Sequence, residues 1–323
     1  MTRSPLRAAF ARLPPVANRD RRIAKLSRRV AKLEASRQAM AKKPSFQVRL
    51  NEEKRLRALE VEIGAPSRSV IAGGKFHVYD LVRSHGVEIP EQFGRWDDPA
   101  DIAWDDLPDA VVIKSAFGAA SRGVFPLRRV DGGWRIADQE STVPSQQLTA
   151  NIADLVARGT IRPPFAAEEY LDDGSGGPPT DVKAYTFYGE VPLVILRRSE
   201  EHGNPNAGLY RVVDVQGADL LDEYYGKPTD PTIPLPGSLA ELFDVASRVS
   251  IAIRAPYSRI DLYDLNGRIV FGEVTPRPGS TGWFSAELDV VMGEAWERAQ
   301  VRLWRDIANG MSPDPEWGSL GQE

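Results

Sequence analysis

The sequence predicts an α+β fold in which antiparallel hairpins alternate with amphipathic helices. Two strand-like runs are joined across Asn266-Gly267, and two more, at 182–188 and 191–196, are joined around Gly189. Residues 238–253 carry apolar side chains at the spacing of an amphipathic helix. Hairpins imply antiparallel pairing, and helices packed beside such strands give the α+β class.

The remaining elements are predicted from periodicity and from the glycines and prolines that interrupt it. A short buried strand, Val111–Lys114, is closed by its lysine. Further helices are predicted over 18–43, near 51–63 with Gly64 as the stop, over 75–86 and over 286–308. Loops are predicted at 172–180 and 199–208, the second of them mobile, and the chain beyond Gly310 is predicted to be loose.

The composition of the 323-residue chain is that of a globular protein with two or three lobes. Hydrophobic residues make up 42% and charged residues 27%, and no run of about 18 apolar residues occurs. The basic N-terminus is not followed by an apolar stretch, so we expect no secretory signal and a cytoplasmic protein.

Cysteine and histidine usage excludes several kinds of site. The chain has no cysteine and three histidines. Disulfides, zinc–thiolate sites, iron–sulfur clusters and thiol nucleophiles are therefore excluded, and a histidine metal cage is not expected. Any bound metal must be held by carboxylates, which favours Mg²⁺ or Mn²⁺.

The net charge of −4 conceals a basic N-terminal segment on an acidic body. Residues 1–43 hold 13 bases and two acids, while the rest holds 28 bases and 43 acids. This asymmetry suggests an anionic partner or membrane surface, and a solvated tail is the alternative. No nucleic acid is expected. An apolar stripe in the same segment admits either a homodimer through residues 18–43 or docking on the body; its members are Ile23, Leu26, Val30 and Leu33.

The hairpin across Asn266-Gly267 admits two registers. A two-residue turn would pair Asp261 with Gly272 and leave Glu273 on the opposite face. A three-residue loop would pair Asp261 with Phe271, and we favour it because it separates polar from apolar residues. It places Arg259, Asp261, Glu273 and Thr275 on one face and Ile260, Leu262, Val270 and Val274 on the other.

Side-by-side carboxylates make this hairpin a candidate metal site. Asp261 and Glu273 would repel each other in a partly buried site, and a cation relieves that repulsion. Mg²⁺ takes carboxylate oxygens together with phosphate oxygens. Arg259 and Arg277 at the rim could hold anionic oxygens. The alternative is a surface hairpin with an Arg–Glu pair across its strands.

Two further segments point weakly to a nucleotide. Lys114 and the loop 115–123 (SAFGAASRG) offer an ammonium and backbone N–H groups to phosphates, although the P-loop pattern is absent. The stretch 166–173 (AAEEYLDD) could present backbone groups to adenine and a carboxylate to ribose, with Lys183 of Asp181-Val182-Lys183 facing the nucleotide. Taken singly, each segment has a simpler interpretation: the loop 115–123 as a surface loop, and Glu168 and Glu169 as solvated charges.

Together, in this order and spacing, the segments resemble the ATP-grasp superfamily and, within it, the branch named for teichuronopeptide biosynthesis (TupA-like). The resemblance runs from about Lys75 to Met292. It rests on KFHVYDLVRSHG, DDLPDAVVIKSAFGAASRG, AEEYL, DVKAYTFYGEVPLVI and, most specifically, RIDLYDLNGRIVFGEVTPRPGS. It implies the ATP-grasp fold, in which two α/β lobes with antiparallel sheets clasp ATP, here with a basic N-terminal helical segment in addition.

The resemblance also implies roles for individual residues. Those assigned to ATP are Lys114, Gly118, Ser121, Gly123, Glu168, Glu169, Tyr170, Leu171, Asp181 and Lys183. Asp261, Glu273 and Thr275 are assigned to Mg²⁺ (or Mn²⁺), and Arg259 and Arg277 to the acyl phosphate and tetrahedral intermediate. Thr275 stands where many ATP-grasp enzymes have asparagine, which leaves open whether one or two metal ions bind. Ala119 and Ala120 make the phosphate loop poorer in glycine than usual.

The activity implied is an ATP-dependent carboxylate–amine ligase with small-molecule acid and amine substrates, in cell-surface polysaccharide, peptide-polymer or natural-product biosynthesis. A kinase on the same fold and a non-catalytic nucleotide-binding scaffold are the alternatives. The expected organisation is a basic helical tail (1–45), a short N-terminal lobe (46–110), a small lobe (111–170), a large lobe with the metal site (171–310) and a loose tail (311–323).

Overall fold

The computed structural model describes residues 19, 22–23, 25–32, 43–65, 73–118, 122–137, 139–174, 178–199, 208–278 and 282–319. The chain forms two compact units, residues 1–44 and 45–323. In the first unit, residues 25–32 are helical, and the side chains of Ile23, Leu26 and Val30 are exposed. Leu33, the fourth member of the predicted stripe, lies outside the described residues.

The second unit is an α+β structure with two antiparallel sheets, as the sequence predicts. A six-stranded sheet has the order β1-β6-β2-β3-β4-β5, and a five-stranded sheet has the order β11-β10-β7-β8-β9. The helices are α1 (Phe46–Glu62), α2 (Lys75–Ser84), α3 (Ser145–Ala157), α4 (Leu239–Ile253) and α5 (Ala286–Ala308). The strands are β1 (Gln92–Trp96), β2 (Ala110–Phe117), β3 (Val124–Val130), β4 (Gly133–Ile136), β5 (Thr142–Val143), β6 (Arg162–Glu169), β7 (Asp181–Phe187), β8 (Glu190–Ser199), β9 (Gly208–Asp214), β10 (Ser258–Leu265) and β11 (Arg268–Thr275).

Helices cover both faces of the five-stranded sheet. Alternation along β7 sends Val182 and Ala184 into a core with α2 and α4, and Tyr185 into a second core with α1 and α5. Phe46 of α1 fills the second core, with its ring 5.0 Å from that of Tyr257 and 6.0 Å from that of Trp296. The sheet is therefore fixed from both sides, and its cavity-lining strands are held in register.

The six-stranded sheet has one core face and one cavity face. Val111 and Ile113 of β2 pack into a core with α3, while Val112 and Lys114 point to a cavity. The alternation of β2 therefore decides which of its side chains a ligand can reach. β6 then carries the chain out of this sheet through Glu168, Glu169 and Tyr170.

Residues 46–110, predicted as a short lobe, do not share one core. α1 packs with α5, α2 packs on the opposite face of the five-stranded sheet, and β1 joins the six-stranded sheet. α1 also begins earlier than predicted, because Ser45 caps it by accepting from Val48 N, and it buries Phe46 and Leu50. Leu56, Leu59 and Ile63, the apolar positions farther along the helix, are exposed.

Part of the segment beyond Gly310, predicted to be loose, is held against the body. Glu316 N donates to Ala252 O at 3.0 Å, and Gly318 N donates to Ser84 Oγ at 2.8 Å. Of the loop predicted at 199–208, residues 200–207 lie outside the described part of the chain. Across the described ranges, no helix is both long and apolar enough to cross a membrane.

Candidate active site

The turn of the β10–β11 hairpin is shorter than the sequence analysis favours. Leu265 pairs with Arg268, so the loop has two residues. Asn266 and Gly267 have φ angles of 57° and 97°, as a type I′ turn requires. The three-residue loop was the wrong choice, because Asn266 accepts the left-handed conformation that the tighter turn needs.

A β-bulge at Gly272 nevertheless brings the predicted polar residues together. Leu262 pairs with Phe271 but Asp261 pairs with Glu273, so Gly272 is the additional residue in β11. The bulge aligns the two carboxylates and places Arg259 opposite Thr275. Ile260, Leu262 and Val274 share the core on the other face, as predicted; Val270 instead pairs with Tyr263.

Asp261 is buried and bound by cations on both oxygens. Arg259 donates from Nε to Oδ1 and from Nη2 to Oδ2, each at 2.7 Å. Lys183, which pairs with Asp261 from the neighbouring strand β7, donates from Nζ to the same Oδ2 at 2.7 Å. Burial favours the neutral acid, but Arg259 and Lys183 outweigh it and hold the pKa of Asp261 below its usual value.

Lys183 joins Asp261 to a second carboxylate. Its Nζ donates to Asp181 Oδ2 at 2.6 Å, so one ammonium bridges two strands. Burial opposes the charge of Lys183, but Asp181 and Asp261 raise its pKa above the usual value. The other oxygen of Asp181, Oδ1, is buried and has no hydrogen-bond partner among the described residues. That oxygen is available to a donor on a ligand.

A second charged cluster joins β2, β6 and α2. Lys114 forms an ion pair with Glu168, whose carboxylate is almost wholly buried. Lys114 Nζ donates to Tyr79 Oη at 3.2 Å, and Tyr79 Oη donates to Glu168 Oε2 at 3.1 Å. Burial lowers the pKa of Lys114, but Glu168 and Tyr79 more than reverse this. The Glu168 side chain therefore holds Lys114 in place rather than facing open space.

The turn of the β10–β11 hairpin also holds the segment that leaves β6. Arg268 donates to both oxygens of Glu169, at 2.5 and 2.9 Å, and to Glu88 Oε1 at 2.5 Å. Asn266 Nδ2 donates to Asp173 O at 3.0 Å. The hydrogen bonds from Arg268 lower the pKa of Glu169. One hairpin therefore carries carboxylates on its strands and, at its tip, side chains that hold the linker, which we define as residues 169–173.

Two adjoining cavities collect most of the predicted site residues. The first, of about 310 Å³, is lined by Lys114, Gly118, Glu168, Glu169, Tyr170, Leu171, Asp181, Lys183, Asp261 and Glu273. The second, of about 930 Å³, is lined by Arg259, Thr275 and Arg277 and again by Gly118, Lys183 and Glu273. The shared residues form the boundary across which groups bound in the two cavities would meet.

Two of the predicted residues are not placed at either cavity. Gly123 lines neither one; a Cβ there would lie 2.8 Å from Ile161 Cγ2, and its φ of +79° favours glycine. Its role in the structure is thus close packing beside β2. Ser121 lies outside the described residues.

Lys75 is the most important site residue that the sequence analysis missed. It begins α2 and lines both cavities, and its side chain makes no hydrogen bond or ion pair with the described residues. Burial lowers its pKa, although Glu273 works in the opposite direction. Its one signal in the sequence was the preceding Gly73-Gly74, which lets the chain enter the helix with a φ of +84° at Gly74.

The Asp261–Glu273 pair is suited to a hard divalent cation. A carboxylate has about four lone-pair sites, and Asp261 uses three of them, which leaves one on Oδ1. The Glu273 side chain is 45% exposed and only 3.9 Å from Arg259. No group of three histidine or carboxylate ligands occurs among the described residues. A Mg²⁺ ion that takes two carboxylates and completes its shell with phosphate and water oxygens fits this donor set.

A family model for TupA-like ATPgrasp proteins matches residues 54–297. The chain belongs to this family. The match begins within α1 and ends within α5, so every residue that lines either cavity of this TupA-like ATP-grasp protein lies inside it. The two antiparallel sheets and their helices are thus an ATP-grasp fold, and residues 1–53 lie outside the matched region.

Comparison with other known proteins gives no curated relative. Among solved structures, the ATP-grasp chain is similar to D-alanine–D-alanine ligase from Bacillus anthracis, with 17% identity over 77% of this chain and 76% of the ligase and a TM-score of 0.46. The same ligase in complex with ATP gives 15% identity over 78% of this chain and 76% of the ligase, with a TM-score of 0.48. D-cycloserine synthetase gives 15% identity over 70% of each chain and a TM-score of 0.43.

Proposed function

We propose that the protein is an ATP-dependent ligase that activates a carboxylate as an acyl phosphate and transfers the acyl group to an amine. One observation carries the proposal. The smaller cavity, which is lined by lysines that could neutralise phosphates, adjoins a larger cavity. The boundary between the two contains Lys75, Lys183 and Glu273. A phosphate chain lying along that boundary would present its terminal phosphorus to a substrate in the larger cavity.

The smaller cavity would take ATP. Tyr170 and Leu171 lie where the chain leaves β6, so their backbone groups are available to adenine. Asp181 Oδ1, buried and unpartnered, would accept from a ribose hydroxyl. Lys114, Lys183 and Lys75 would neutralise the phosphates as point charges, with Gly118 at the same wall.

Asp261 and Glu273 would hold Mg²⁺ (or Mn²⁺), with the Thr275 hydroxyl beside them. When bound, the ion neutralises negative charge on the β- and γ-phosphates. Asp261 is kept ionised by Arg259 and Lys183, so it offers a charged oxygen without first losing a proton. Glu273 is more exposed, so its carboxylate would have room to turn toward the ion.

In the chemical step, the substrate carboxylate attacks the γ-phosphate of ATP, ADP leaves, and an amine then displaces phosphate from the acyl phosphate. The two arginines assigned to this step differ. Arg259 is committed to Asp261 and Thr275. Arg277 makes no hydrogen bond with residues in the described ranges, and it lines the larger cavity. Arg277 is thus the better placed to hold developing negative charge, and Arg259 to fix Asp261.

No side chain has to act as a nucleophile in this scheme. The chain has no cysteine, and burial raises the pKa of Tyr185 and Tyr224 beside the larger cavity, which keeps both phenols neutral at pH 7. Positioning and charge neutralisation would supply most of the rate enhancement. The resemblance to the TupA-like branch favours a product in cell-surface polysaccharide, peptide-polymer or natural-product biosynthesis.

The test is ADP release from Mg-ATP with a panel of uronic acids, amino acids and short peptides, each with and without amines. Hydroxylamine in place of the amine traps an acyl phosphate as a hydroxamate. ADP release that needs both acid and amine, with hydroxamate formed in the trap, is expected. ADP release with hydroxyl compounds and no amine would identify a kinase. Mg-ATP binding in a titration without ADP release on any acid or hydroxyl compound would favour the non-catalytic scaffold, and absence of Mg-ATP binding would contradict all three functions.

A further inference from the structure

Aromatic side chains form one wall of the larger cavity, and none of its members lines the smaller one. Tyr210, Tyr224 and Trp283 make up this wall, and they come from β9 and from the segments before α4 and α5. Ring centres lie 6.1 Å apart in both the Tyr210–Tyr224 and the Tyr224–Trp283 pair, and the rings of the second pair are perpendicular. Tyr224 and Trp283 thus form a corner that can pack against a flat group from two directions.

Backbone contacts hold this corner in place. Tyr225 N donates to Trp283 O at 2.6 Å, and Ser285 N donates to Glu223 O at 2.8 Å. A Cβ at Gly226 would lie 2.2 Å from Trp283 Cγ, so the indole packs directly on the backbone of Gly226. The wall is therefore preorganised, and a ligand would not have to order it on binding.

The Tyr224 hydroxyl is a buried donor without a partner. Tyr224 is 3% exposed, it lines the larger cavity, and its Oη makes no hydrogen bond with residues in the described ranges. Burial raises the pKa of Tyr224, so the phenol keeps its proton at pH 7. A buried hydroxyl left without a partner costs stability, and a lone pair on a ligand would remove that cost.

The floor between the phosphate boundary and this wall is apolar. Lys183 on β7 pairs with Ile195 on β8, and β9, which carries Tyr210, is the next strand. All three of these side chains line the larger cavity. Two strand spacings amount to about 10 Å. An acid whose carboxylate lies at the boundary could thus cross Ile195 and reach the aromatic wall with a short chain and one ring.

We propose that the acid activated here carries a flat aromatic ring with a hydrogen-bond acceptor on its far side, so that its class is aryl- and heteroaryl-substituted carboxylic acids. This inference rests on the proposed function, because the acid in question is the one that the site activates. Its carboxylate would lie at the boundary beside Lys183, and its ring in the corner of Tyr224 and Trp283. The acceptor would then lie within reach of the Tyr224 hydroxyl.

The first test asks whether the ring has to be flat. Isothermal titration would use the full chain saturated with Mg-AMP-PNP, so that the phosphate positions are already filled. The two ligands are phenylpropionate and cyclohexylpropionate, which share a carbon skeleton but differ in that the second ring is puckered. We expect the phenyl acid to bind at least about fivefold more tightly, since only a flat ring stacks on the aromatic corner. Equal affinity, a preference for the cyclohexyl acid or no binding by either would overturn the proposal.

The second test asks whether Tyr224 recognises an acceptor. Pyridylpropionate with its ring nitrogen opposite the chain has the shape of phenylpropionate and adds one lone pair at the far end. At pH 8, where the pyridine is uncharged, we expect the wild type to bind the pyridyl acid at least about fivefold more tightly, the effect of one hydrogen bond. Tyr224→Phe keeps the ring and removes the hydroxyl, so it should abolish this preference. Equal affinities in the wild type, or a preference that survives in Tyr224→Phe, would refute the assignment of Tyr224.

Tyr257→Phe is the matched control. Tyr257 is also 3% exposed, and its hydroxyl also lacks a hydrogen-bond partner among the described residues, but it lines neither cavity. Its substitution should leave the preference for the pyridyl acid within about twofold of the wild-type value. Loss of the preference in both variants would show that a general change in the core sets it, and would overturn the contact with Tyr224.

The two proposals fail in different ways. ADP release that is equally fast with aryl acids and with straight-chain acids would leave the ligase standing and remove the preference for a ring. Tight binding of the pyridyl acid without ADP release, with or without an amine, would keep the ring site and remove the ligase.

Discussion

At the residue scale, Asp261 and Glu273 look alike in sequence but have different surroundings. Asp261 compensates two buried cations, whereas Glu273 is half-exposed. Asp261→Asn should therefore lower the free energy of unfolding by about 3–5 kcal/mol, because Arg259 and Lys183 lose their counter-charge. Glu273→Gln should change it by less than about 0.5 kcal/mol, yet abolish Mg²⁺-dependent ADP release. Urea unfolding and the ADP assay measure the two effects; Mg²⁺-dependent turnover that persists in Glu273→Gln would contradict the metal assignment.

The stability difference between the wild type and Asp261→Asn should depend on pH. Because the pKa of Asp261 is lower in the folded chain than in the unfolded one, its ion pairs contribute stability at neutral pH. That contribution is lost as the pH falls from about 4 through the lowered folded value. The stability gap between wild type and Asp261→Asn should shrink over that range. Unfolding at pH 7 and pH 3 measures the gap.

Lys75 is the residue at which burial has the clearest functional consequence. Lys75→Met should weaken Mg-ATP binding by at least about tenfold, since a charged donor is lost at the phosphates, and should affect AMP binding little. Burial lowers the pKa of Lys75, so wild-type affinity should begin to fall below the pH at which an ordinary lysine, with a pKa of about 10.4, loses its proton.

Lys54→Met is the matched control for Lys75, because Lys54 is an exposed lysine on α1 that lines neither cavity. Both variants would be titrated with ATP and with AMP at several pH values. Equal ATP affinity in the two variants would show that Lys75 does not contact the phosphates.

At the element scale, the tip of the β10–β11 hairpin fixes the linker that would bracket adenine. Arg268→Met removes the bidentate contact with Glu169 and the contact with Glu88. We expect KM for ATP to rise several-fold and the preference for ATP over GTP to fall, with kcat less affected, because the linker rather than the phosphate boundary is disturbed. Steady-state kinetics with both nucleotides measure this.

Arg298→Met provides a control of the same chemistry. Arg298 of α5 also binds both oxygens of a glutamate, Glu190, at 2.5 and 3.2 Å, and it lines neither cavity. Its loss should leave KM for ATP unchanged. Equal effects of the two substitutions would mean that Arg268 acts only as a surface ion pair.

The bulge in β11 is the second element-scale feature with a testable consequence. In Gly272→Ala, the new Cβ would lie 2.9 Å from Tyr263 Cε2 and 3.1 Å from Asp261 O, so the strand has to shift. We expect a loss of about 1–3 kcal/mol in the free energy of unfolding and a larger Mg²⁺ requirement. Gly237→Ala is the control, because its nearest atom, Asp264 Oδ2, is 3.9 Å away. A Gly272→Ala enzyme with an unchanged Mg²⁺ requirement would contradict this account.

Local patterns predicted the elements well where one face is buried. Helices over 238–253 and 286–308 and the hairpins around Gly189 and Asn266 were all found close to their expected bounds. The predicted register of the β10–β11 hairpin was wrong, because the alternation of polar and apolar residues does not reveal a bulge at Gly272. The polar face that the bulge creates could nevertheless be predicted from that alternation. α1 begins at Phe46 rather than near residue 51, because Ser45 caps it and its first turns reach the core.

Contacts between segments that lie far apart in the chain could not be predicted from the sequence. Ion pairs to Asp261, Glu168 and Glu169 come from partners 78, 54 and 99 residues away, namely Lys183, Lys114 and Arg268. Arg259 was expected to stabilise the acyl phosphate and Glu169 to bracket adenine. Both residues line a cavity, and each is also bound to another side chain, which only the folded chain reveals. β4 and β5 were missed because they are short, with four and two residues, and β3 because its burial pattern is irregular.

At the scale of the whole molecule, we expect the candidate site to form without the N-terminal segment. The first compact unit ends at Pro44, and the family match begins at residue 54. Removing residues 1–43 should leave Mg-ATP affinity within about twofold, since the truncated chain keeps Ser45, the cap of α1. Loss of ATP binding in the truncated protein would show that the boundary is misplaced.

The same truncation tests the partners proposed for this segment. Sedimentation of both forms would reveal a dimer that depends on residues 18–43. Binding to vesicles with and without anionic lipid would reveal attraction by the 13 bases of residues 1–43. Binding that is lost on truncation or in high salt supports the surface proposal.

The extra residue at Gly272 also says how this chain can change over generations. Substitutions alter one side chain at a time, but deletion of Gly272 would turn the bulge into a regular ladder that still pairs Leu262 with Phe271 and Asp261 with Glu273. Glu273 and Thr275 would keep the face that they share with Asp261, whereas an inserted residue beside Gly272 would need a second unpaired position or would turn both side chains to the apolar face. In a library of single-residue insertions and deletions, loss of Gly272 should therefore be tolerated better than an insertion beside it.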